Sequence, residues 1–295
     1  MVPGRDSLPN LVVPGLPRAG TTWLYRALSL HPEVFVPRRK EVHYHDRHHA
    51  RPVSWYRRHF RGGAGLRYRV DITPFYLLDP ACAERIQRVT PEALILIILR
   101  NPVTWLWSRH QKTSRERGPQ PSLDTLVADA DWRGTMRYQA MIEPYLHRFG
   151  REGCRILVYE DLARDPLAYF RDVCAFLQID PGLVTPRAAA ALTRAENPSV
   201  VPRSASLNRL LHGMLRVGRR ASIGAVDRML DAGGRWYRRL LVGPSRPGAR
   251  PEMPDSLRQK IAIAFRDDAE AVSDLVGRDL LALWKLEELA AGESR

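Results

Sequence analysis

The 295-residue sequence contains only three cysteines, and their wide spacing offers neither a disulfide framework nor a Cys-x-x-Cys metal pair. We therefore expect three reduced thiols that are mostly buried. Long apolar runs are also missing, since the longest strongly hydrophobic stretch, Leu94–Leu99, is far too short to span a bilayer. No apolar signal segment precedes the first predicted strand, so we expect a cytoplasmic protein without a membrane span.

Lysine is scarce as well, because only 4 of the 46 basic residues are lysine and the rest are arginine. The formal net charge is +14, and such a protein can bind nucleic acid, an anionic membrane surface or a polyanionic small ligand. The positive charge is scattered along the chain and singles out none of these partners. It does suit a site that holds a highly anionic nucleotide.

Apolar patterning predicts short strands that alternate with helices. The predicted strands span residues 10–14, 67–73, 94–99 and 155–159, and the predicted helices span residues 21–30, 82–89, 102 onward, 137–149 and 166–178. Residues 115–122 are predicted to form a mobile loop, and residues 207–241 and 255–289 to be helical. We see no boundary for a second domain, so residues 1–295 are expected to form a single domain.

The most informative segment is a glycine-bounded loop, Gly15-Leu16-Pro17-Arg18-Ala19-Gly20-Thr21-Thr22-Trp23, between the first strand and the first helix. Its glycines let the backbone approach an anion, and the helix start directs N–H groups and a positive dipole end towards it. Thr21 and Thr22 add hydroxyl donors, and Arg18 adds a permanent cation. The fold class expected from this element is α/β, a P-loop-like parallel sheet with helices on both faces and extra C-terminal helices.

The spacing almost matches the nucleotide P-loop, but Thr21 stands where that loop requires lysine. Without the lysine the β- and γ-phosphates lose their main cation, which disfavours a kinase or NTPase while keeping it as the leading alternative. A glycine-rich turn without a ligand is a further, weaker alternative.

The stretch from Pro17 to Trp23 resembles the 5'-phosphosulfate loop of sulfotransferases that use 3'-phosphoadenosine 5'-phosphosulfate (PAPS). At the position of Arg18, that family usually has lysine. The second family signature is an arginine at a strand end followed by a serine eight residues later, and Arg100 and Ser108 match it. The resemblance implies that both bind the 3'-phosphate. It covers about residues 10–210, which leaves 211–295 as a helical C-terminal extension of the same domain. It implies PAPS as donor and 3',5'-ADP as product.

One further contact follows from the position of Pro202-Arg203-Ser204, where the family has a loop over the nucleotide. Arg203 is therefore a candidate contact of the 3'-phosphate, although a solvent-exposed arginine is equally consistent with the sequence.

Residues 40–46 resemble the Lys-Glu-x-His-Phe-Phe-Asp segment of heparan-type sulfotransferases and their bacterial relatives, in which the glutamate is assigned as the base. An alcohol that attacks sulfur must lose its proton, and a carboxylate or an imidazole can accept it. Glu41 is the first candidate and His43 the second; a salt bridge for Glu41 and a purely structural hydrogen bond for His43 are the alternatives. Four histidines and Asp46 within residues 43–49 suggest a metal site, which their spacing in a loop disfavours.

Residues 71–76 resemble another segment of the heparan-type sulfotransferases and their bacterial relatives, in which some members have lysine at the position of Ile72. That difference leaves Arg18 as the main cation near the transferred group. Phe75 and other aromatic residues nearby (Trp55, Tyr56, Tyr76) are interpreted as core, with pocket lining as the alternative.

The function expected is metal-independent sulfuryl transfer from PAPS to a hydroxyl or amine of a small molecule or glycan. The second alternative is a non-catalytic basic protein that binds nucleic acid. The acceptor and the oligomeric state stay open.

Overall fold

The computed structural model describes residues 7–193 and 252–292, so the predicted contact Arg203 and the predicted helix at residues 207–241 lie outside the described residues. Its centre is a five-stranded parallel sheet in the order β2-β3-β1-β4-β5. The strands are β1 (Leu11–Gly15), β2 (Val34–Phe35), β3 (Tyr68–Ile72), β4 (Leu94–Leu99) and β5 (Cys154–Val158). β1 is buried throughout and β4 almost so, as expected for central parallel strands.

Helices connect these strands and cover the sheet. The chain passes from β1 to the edge strand β2 and then moves in the opposite direction through β3 and, across β1, to β4 and β5. Right-handed connections that run in opposite directions along a parallel sheet place their helices on opposite faces. The helices up to β5 are α1 (Thr21–Ser29), α2 (Tyr44–Arg47), α3 (Val53–Arg57), α4 (Ala81–Val89), α5 (Pro102–Arg117), α6 (Leu123–Ala128), α7 (Ala130–Thr135) and α8 (Tyr138–Gly153). After β5 come α9 (Tyr159–Arg164), α10 (Pro166–Leu177), α11 (Pro186–Leu192), α12 (Asp255–Val276), α13 (Leu280–Trp284) and α14 (Leu286–Ala290).

The start of α5 follows from its sequence. The Asn101 side chain accepts hydrogen bonds from the backbone N–H groups of Val103 and Thr104, and Pro102 occupies the first turn. The predicted loop at residues 115–122 is wrong at its start, because α5 continues to Arg117. The helix stops only at Gly118, whose φ of 93° cannot continue it.

Residues 255–289, which are predicted to be helical, form three helices. The breaks fall at Gly277 (φ 69°) and Lys285 (φ 53°), both in the left-handed region. These helices share the main core with the sheet, and the buried Asp268 of α12 accepts hydrogen bonds from the backbone N–H groups of Tyr138 and Gln139 at the start of α8. Within the described ranges, no helix combines the length and the apolar character that a membrane crossing needs.

Candidate functional site

The loop between β1 and α1 is shaped by Gly20. This residue has a φ of 86°, and a Cβ added to it would lie 2.5 Å from Leu162 Cδ2, so a larger residue would be strained on both counts. As the N-cap of α1, Gly20 offers no side-chain acceptor, and the first turn of α1 carries no acidic residue. The first N–H groups of α1 therefore lack a side-chain partner, which suits the binding of an anion.

Arg100 follows directly after β4 and lies beside this loop, because β4 pairs with β1. Its Nη1 donates a hydrogen bond to the Arg18 carbonyl oxygen at 2.8 Å, and its guanidinium lies 4.5 Å from the centre of the Tyr159 ring. Arg18 Nε in turn donates to Ser108 Oγ at 3.1 Å. The two predicted halves of a nucleotide site, more than 80 residues apart in the chain, thus meet in one set of contacts.

The other residues predicted for this site divide into buried and exposed ones. Pro17 is held by α5, since its carbonyl oxygen accepts a hydrogen bond from Trp105 Nε1 at 2.9 Å. Trp23 is buried and donates from Nε1 to the Leu192 carbonyl oxygen at 2.9 Å. Ala19 and Thr21 are buried and Thr22 is exposed, so Thr22 is the hydroxyl that faces solvent at the helix start. The aromatic and small residues hold the loop in shape, while Arg18, Thr22, Arg100 and Ser108 carry its polar groups.

The predicted base, Glu41, lies in a row of side chains whose charges alternate in sign. Lys40 Nζ lies 2.9 Å from Glu41 Oε1, and His43 Nε2 lies 3.7 Å from Glu41 Oε2. The other ring nitrogen of His43, Nδ1, lies 2.8 Å from Asp46 Oδ2. His43 is thus held between two carboxylates, so the salt bridge and the hydrogen-bonded histidine considered from the sequence are both present.

The charges of these neighbouring side chains set the pKa values of Glu41 and His43. Burial acts to raise the pKa of Glu41, but its contacts with His43 and Lys40 outweigh burial and lower that pKa to about 2. Burial acts to lower the pKa of His43, but Asp46 and Glu41 outweigh it and raise that pKa above its usual value. Glu41 is therefore a carboxylate, and the charged form of His43 is favoured.

A buried polar centre supports the segment that carries Glu41 and His43. Asp71, fully buried in β3, accepts hydrogen bonds from Thr73 Oγ1 (2.6 Å), Tyr56 OH (2.7 Å) and Tyr76 OH (3.0 Å). The Tyr76 hydroxyl oxygen also accepts a hydrogen bond from the Tyr44 backbone N–H at 2.8 Å. This centre connects β3 to α2 and α3, and no local pattern in the sequence indicates it.

The remaining histidines of the segment do not converge. His45 is buried among the rings of Tyr44, Tyr56 and Tyr76, and burial lowers its pKa to about 3. In the part of the chain that the structure describes, no group of three or more His, Cys, Asp or Glu residues could hold a metal ion.

A cavity of about 280 Å³ lies against the β1–α1 loop. Pro17 and Arg18 line one side, Phe75 lines another, and residues of α5, α6 and α7 with the intervening loop complete it. The Phe75 ring also packs against the ring of His43, with 5.5 Å between centroids. Phe75 therefore contacts both the cavity and His43, while Trp55, Tyr56 and Tyr76 are core residues as the sequence predicted.

Comparison with known proteins shows similarity to sulfotransferases. The model of a family described as "Sulfotransferase family" matches residues 54–181, a range that contains Arg100 and Ser108 and begins after Glu41. Heparan sulfate glucosamine 3-O-sulfotransferase 3B1 of Mus musculus is 26% identical over 184 residues, 59% of this chain and 47% of that protein. Heparan sulfate glucosamine 3-O-sulfotransferase 6 of Homo sapiens is 27% identical over 184 residues, 59% of this chain and 54% of that protein. The chain spans about half the length of these curated relatives.

Among solved structures, a sulfotransferase from Alicyclobacillus acidocaldarius has a TM-score of 0.64 at 24% identity and is matched over 94% of this chain and 98% of its own. This likeness shows the fold, and it confirms the predicted class: a P-loop-like α/β protein built on a parallel sheet. More particularly, the family-model match and the curated relatives confirm the predicted resemblance to sulfotransferases, with heparan-type and bacterial relatives.

Proposed function

We propose that this protein transfers a sulfuryl group from PAPS to a hydroxyl or amine of a small-molecule or glycan acceptor. One observation carries the proposal: Arg18 of the β1–α1 loop contacts both Arg100 and Ser108. These residues lie at the carboxyl ends of the neighbouring parallel strands β1 and β4 and in the helix that follows β4. Open α/β sheets bind their ligands in that position.

The polar groups of the loop and of α5 fit a ligand with two separate anionic ends. The start of α1, with Arg18 and Thr22, suits a phosphosulfate. Arg100 and Ser108 suit the 3'-phosphate, because a guanidinium pairs well with phosphate oxygens. A kinase would need a lysine at the position of Thr21, which is buried. The donor set therefore favours PAPS over ATP.

Bound PAPS would supply the sulfuryl group, and the residues of the chain would handle charge and protons. Arg18, Thr22 and the N–H groups of α1 stabilise the negative charge that develops on the transferred group and on the leaving phosphate oxygen. Glu41 accepts the proton of the acceptor hydroxyl. Although a carboxylate with so low a pKa is a weak base, the hydroxyl becomes strongly acidic as its oxygen bonds to sulfur.

The neighbours of Glu41 orient it for this step. Lys40 and His43 hold its two oxygens, and Asp46 positions the His43 ring. His43 thus acts through Glu41 in this proposal rather than as the base itself. A cytoplasmic location, and an acceptor that is not nucleic acid, belong to the same proposal.

The test combines binding and turnover on the full chain. Calorimetry should give at least a tenfold higher affinity for 3',5'-ADP than for 5'-AMP, and incubation with PAPS and an acceptor panel should yield products that carry an added sulfate by mass spectrometry. Equal affinities for the two nucleotides would remove the 3'-phosphate site. Tighter binding of ATP with magnesium than of PAPS would favour the kinase alternative.

A further inference from the structure

We infer that the acceptor is a compact molecule with a flat apolar body and an anionic group, held in the cavity of about 280 Å³ beside Arg18, rather than a long polysaccharide. This inference rests on the proposed function and narrows its acceptor class.

The position of the cavity makes it the place for an acceptor. Arg18 forms part of its wall and also contacts Ser108, so the cavity adjoins the candidate nucleotide site. Phe75 forms another part of the wall and packs against His43, which in turn contacts Glu41. A molecule in the cavity therefore contacts the donor loop through Arg18 and also contacts Phe75, whose ring packs against His43.

The size and the walls of the cavity favour a small molecule. Its volume of about 280 Å³ lies just below the roughly 300–1,000 Å³ that small-molecule pockets occupy. His110 Nε2 donates a hydrogen bond to the Pro121 carbonyl oxygen at 2.9 Å, which fastens the loop of residues 118–122 to α5. The Ser122 side chain then caps α6 by accepting from the Thr125 backbone N–H at 3.1 Å. The wall on this side is thus held by hydrogen bonds, and the space suits a molecule of one or two rings.

Seven of the thirteen lining residues are apolar, and two of these seven carry aromatic rings. Phe75 and Trp132 contribute these rings, and Leu106, Leu123 and Leu126 add aliphatic surface. Aromatic side chains stack well with flat ring systems, whereas a sugar chain presents hydroxyl groups that need polar partners. The lining therefore favours a flat ring over a saccharide.

The polar part of the lining is basic. Arg18, Arg109, His110 and Lys112 all line the cavity, and none of its described lining residues is acidic. Lys112 follows Ser108 by four residues on α5, which places it on the same helix face about 6 Å further along the axis. An anionic group near Lys112 would thus lie one helical turn beyond the nucleotide site, with the reacting hydroxyl at the opposite end of the molecule.

Three probes that share a 4-hydroxyphenyl ring test this inference: anionic 4-hydroxyphenylacetate, neutral 4-hydroxyphenylethanol and cationic tyramine. Each is titrated into the full chain preloaded with 3',5'-ADP, so that binding is measured without turnover. We expect the anionic probe to bind at least tenfold more tightly than the neutral one and the cationic probe to bind most weakly. With PAPS, 4-hydroxyphenylacetate should be sulfated in preference to a heparan-type oligosaccharide.

Variants assign this preference to the cavity. Lys112→Gln should bring the affinity of the anionic probe to within about twofold of the neutral one, while 3',5'-ADP affinity stays unchanged. The matched control is Lys285→Gln, at an exposed lysine of the C-terminal helices, and it should leave all affinities unchanged. Trp132→Ala should weaken the three probes by similar factors.

Two failures are distinguishable. If 3',5'-ADP binds normally but the probes bind equally or not at all, or if only the oligosaccharide is sulfated, the inference is overturned and sulfuryl transfer stands. If 3',5'-ADP does not bind, the proposed function and this inference are overturned together.

Discussion

The pH dependence of turnover distinguishes Glu41 from His43 as the proton acceptor. Pairing lowers the pKa of Glu41 to about 2, so this carboxylate is ionised at every workable pH and contributes no acidic limb to the profile. If His43 were the base, it would have to lose its proton first, and turnover would rise with pH through the raised pKa of His43. If Glu41 is the base, that rise is absent.

The same contacts predict a fall of turnover on the alkaline side. When pH rises through the pKa of His43, its ring becomes neutral, and Asp46 keeps the remaining proton on Nδ1. The lone pair of Nε2 then faces the Glu41 carboxylate at 3.7 Å and no longer orients it. Asp46→Asn should move this alkaline limb to lower pH, because Asp46 raises the pKa of His43.

Substitution of Glu41 tests how much this residue contributes to the single-turnover rate. Glu41→Gln keeps the shape of the side chain but cannot accept a proton, so the single-turnover rate should fall by about 10²- to 10⁴-fold, or ~3–5 kcal/mol in the barrier. The affinity for 3',5'-ADP should stay nearly unchanged. His43→Ala should cost less, because Lys40 still holds Glu41 at 2.9 Å.

The assay is the single-turnover rate with saturating PAPS between roughly pH 5 and pH 9, where general-base profiles are measured. Glu84→Gln, an exposed glutamate of α4 paired with Arg88, serves as the matched control and should behave as the parent protein. An active Glu41→Gln variant beside an inactive His43→Ala variant, with a rate that rises through the pKa of His43, would transfer the role to histidine.

Three further predictions concern the nucleotide site, metal dependence and the loop. Arg100→Ala should lower the affinity for 3',5'-ADP by tenfold or more in calorimetry while changing the affinity for 5'-AMP little. As a control, Arg88→Ala, at an exposed arginine, should change neither affinity. Equal losses of affinity for both nucleotides would contradict a 3'-phosphate contact. Sulfuryl transfer should survive EDTA, because Asp71 near the end of β3 is buried and already accepts three hydrogen bonds, and complete loss restored only by magnesium or zinc would refute this. Gly20→Ala should lower the free energy of unfolding in urea by about 1–3 kcal/mol, because the φ of Gly20 is 86° and the new Cβ would meet Leu162. The control is Gly134→Ala in α7, where a Cβ has open space and should not destabilise the protein. Equal stability of the two variants would show that the loop tolerates a side chain.

The four longer strands of the sheet and the β1–α1 loop could be predicted because their signals are local, whereas the two-residue strand β2 (Val34–Phe35) was not predicted. β4 is an unbroken apolar run that ends at a charged residue, and the structure gives it the predicted bounds, Leu94–Leu99. The meeting of Arg18 with Arg100 and Ser108 followed from the resemblance and from the rule that parallel strands present their carboxyl ends at one edge.

The surroundings of the candidate base could not be predicted because they depend on tertiary structure. Glu41 and His43 both have positive φ values, 64° and 56°, which residue propensities disfavour and which direct their side chains to shared partners. Asp71 looked like an ordinary polar residue at a strand end, because the tyrosines that satisfy it come from other elements. Asp46 carried a signal, because it matches the aspartate of the family segment at residues 40–46, but its contact with His43 was not predicted.

α5 belongs to both halves of the proposed site, and this arrangement explains how acceptor choice can vary without loss of the donor site. Ser108 contacts the β1–α1 loop through Arg18, whereas Lys112 and the residues of α6 and α7 line the cavity. Substitutions in the second group leave the contacts of Arg100 intact, so their effects on acceptor and nucleotide affinity should be nearly additive. Arg18 is the exception because it belongs to both walls, and Arg18→Lys should therefore change nucleotide and acceptor affinity together.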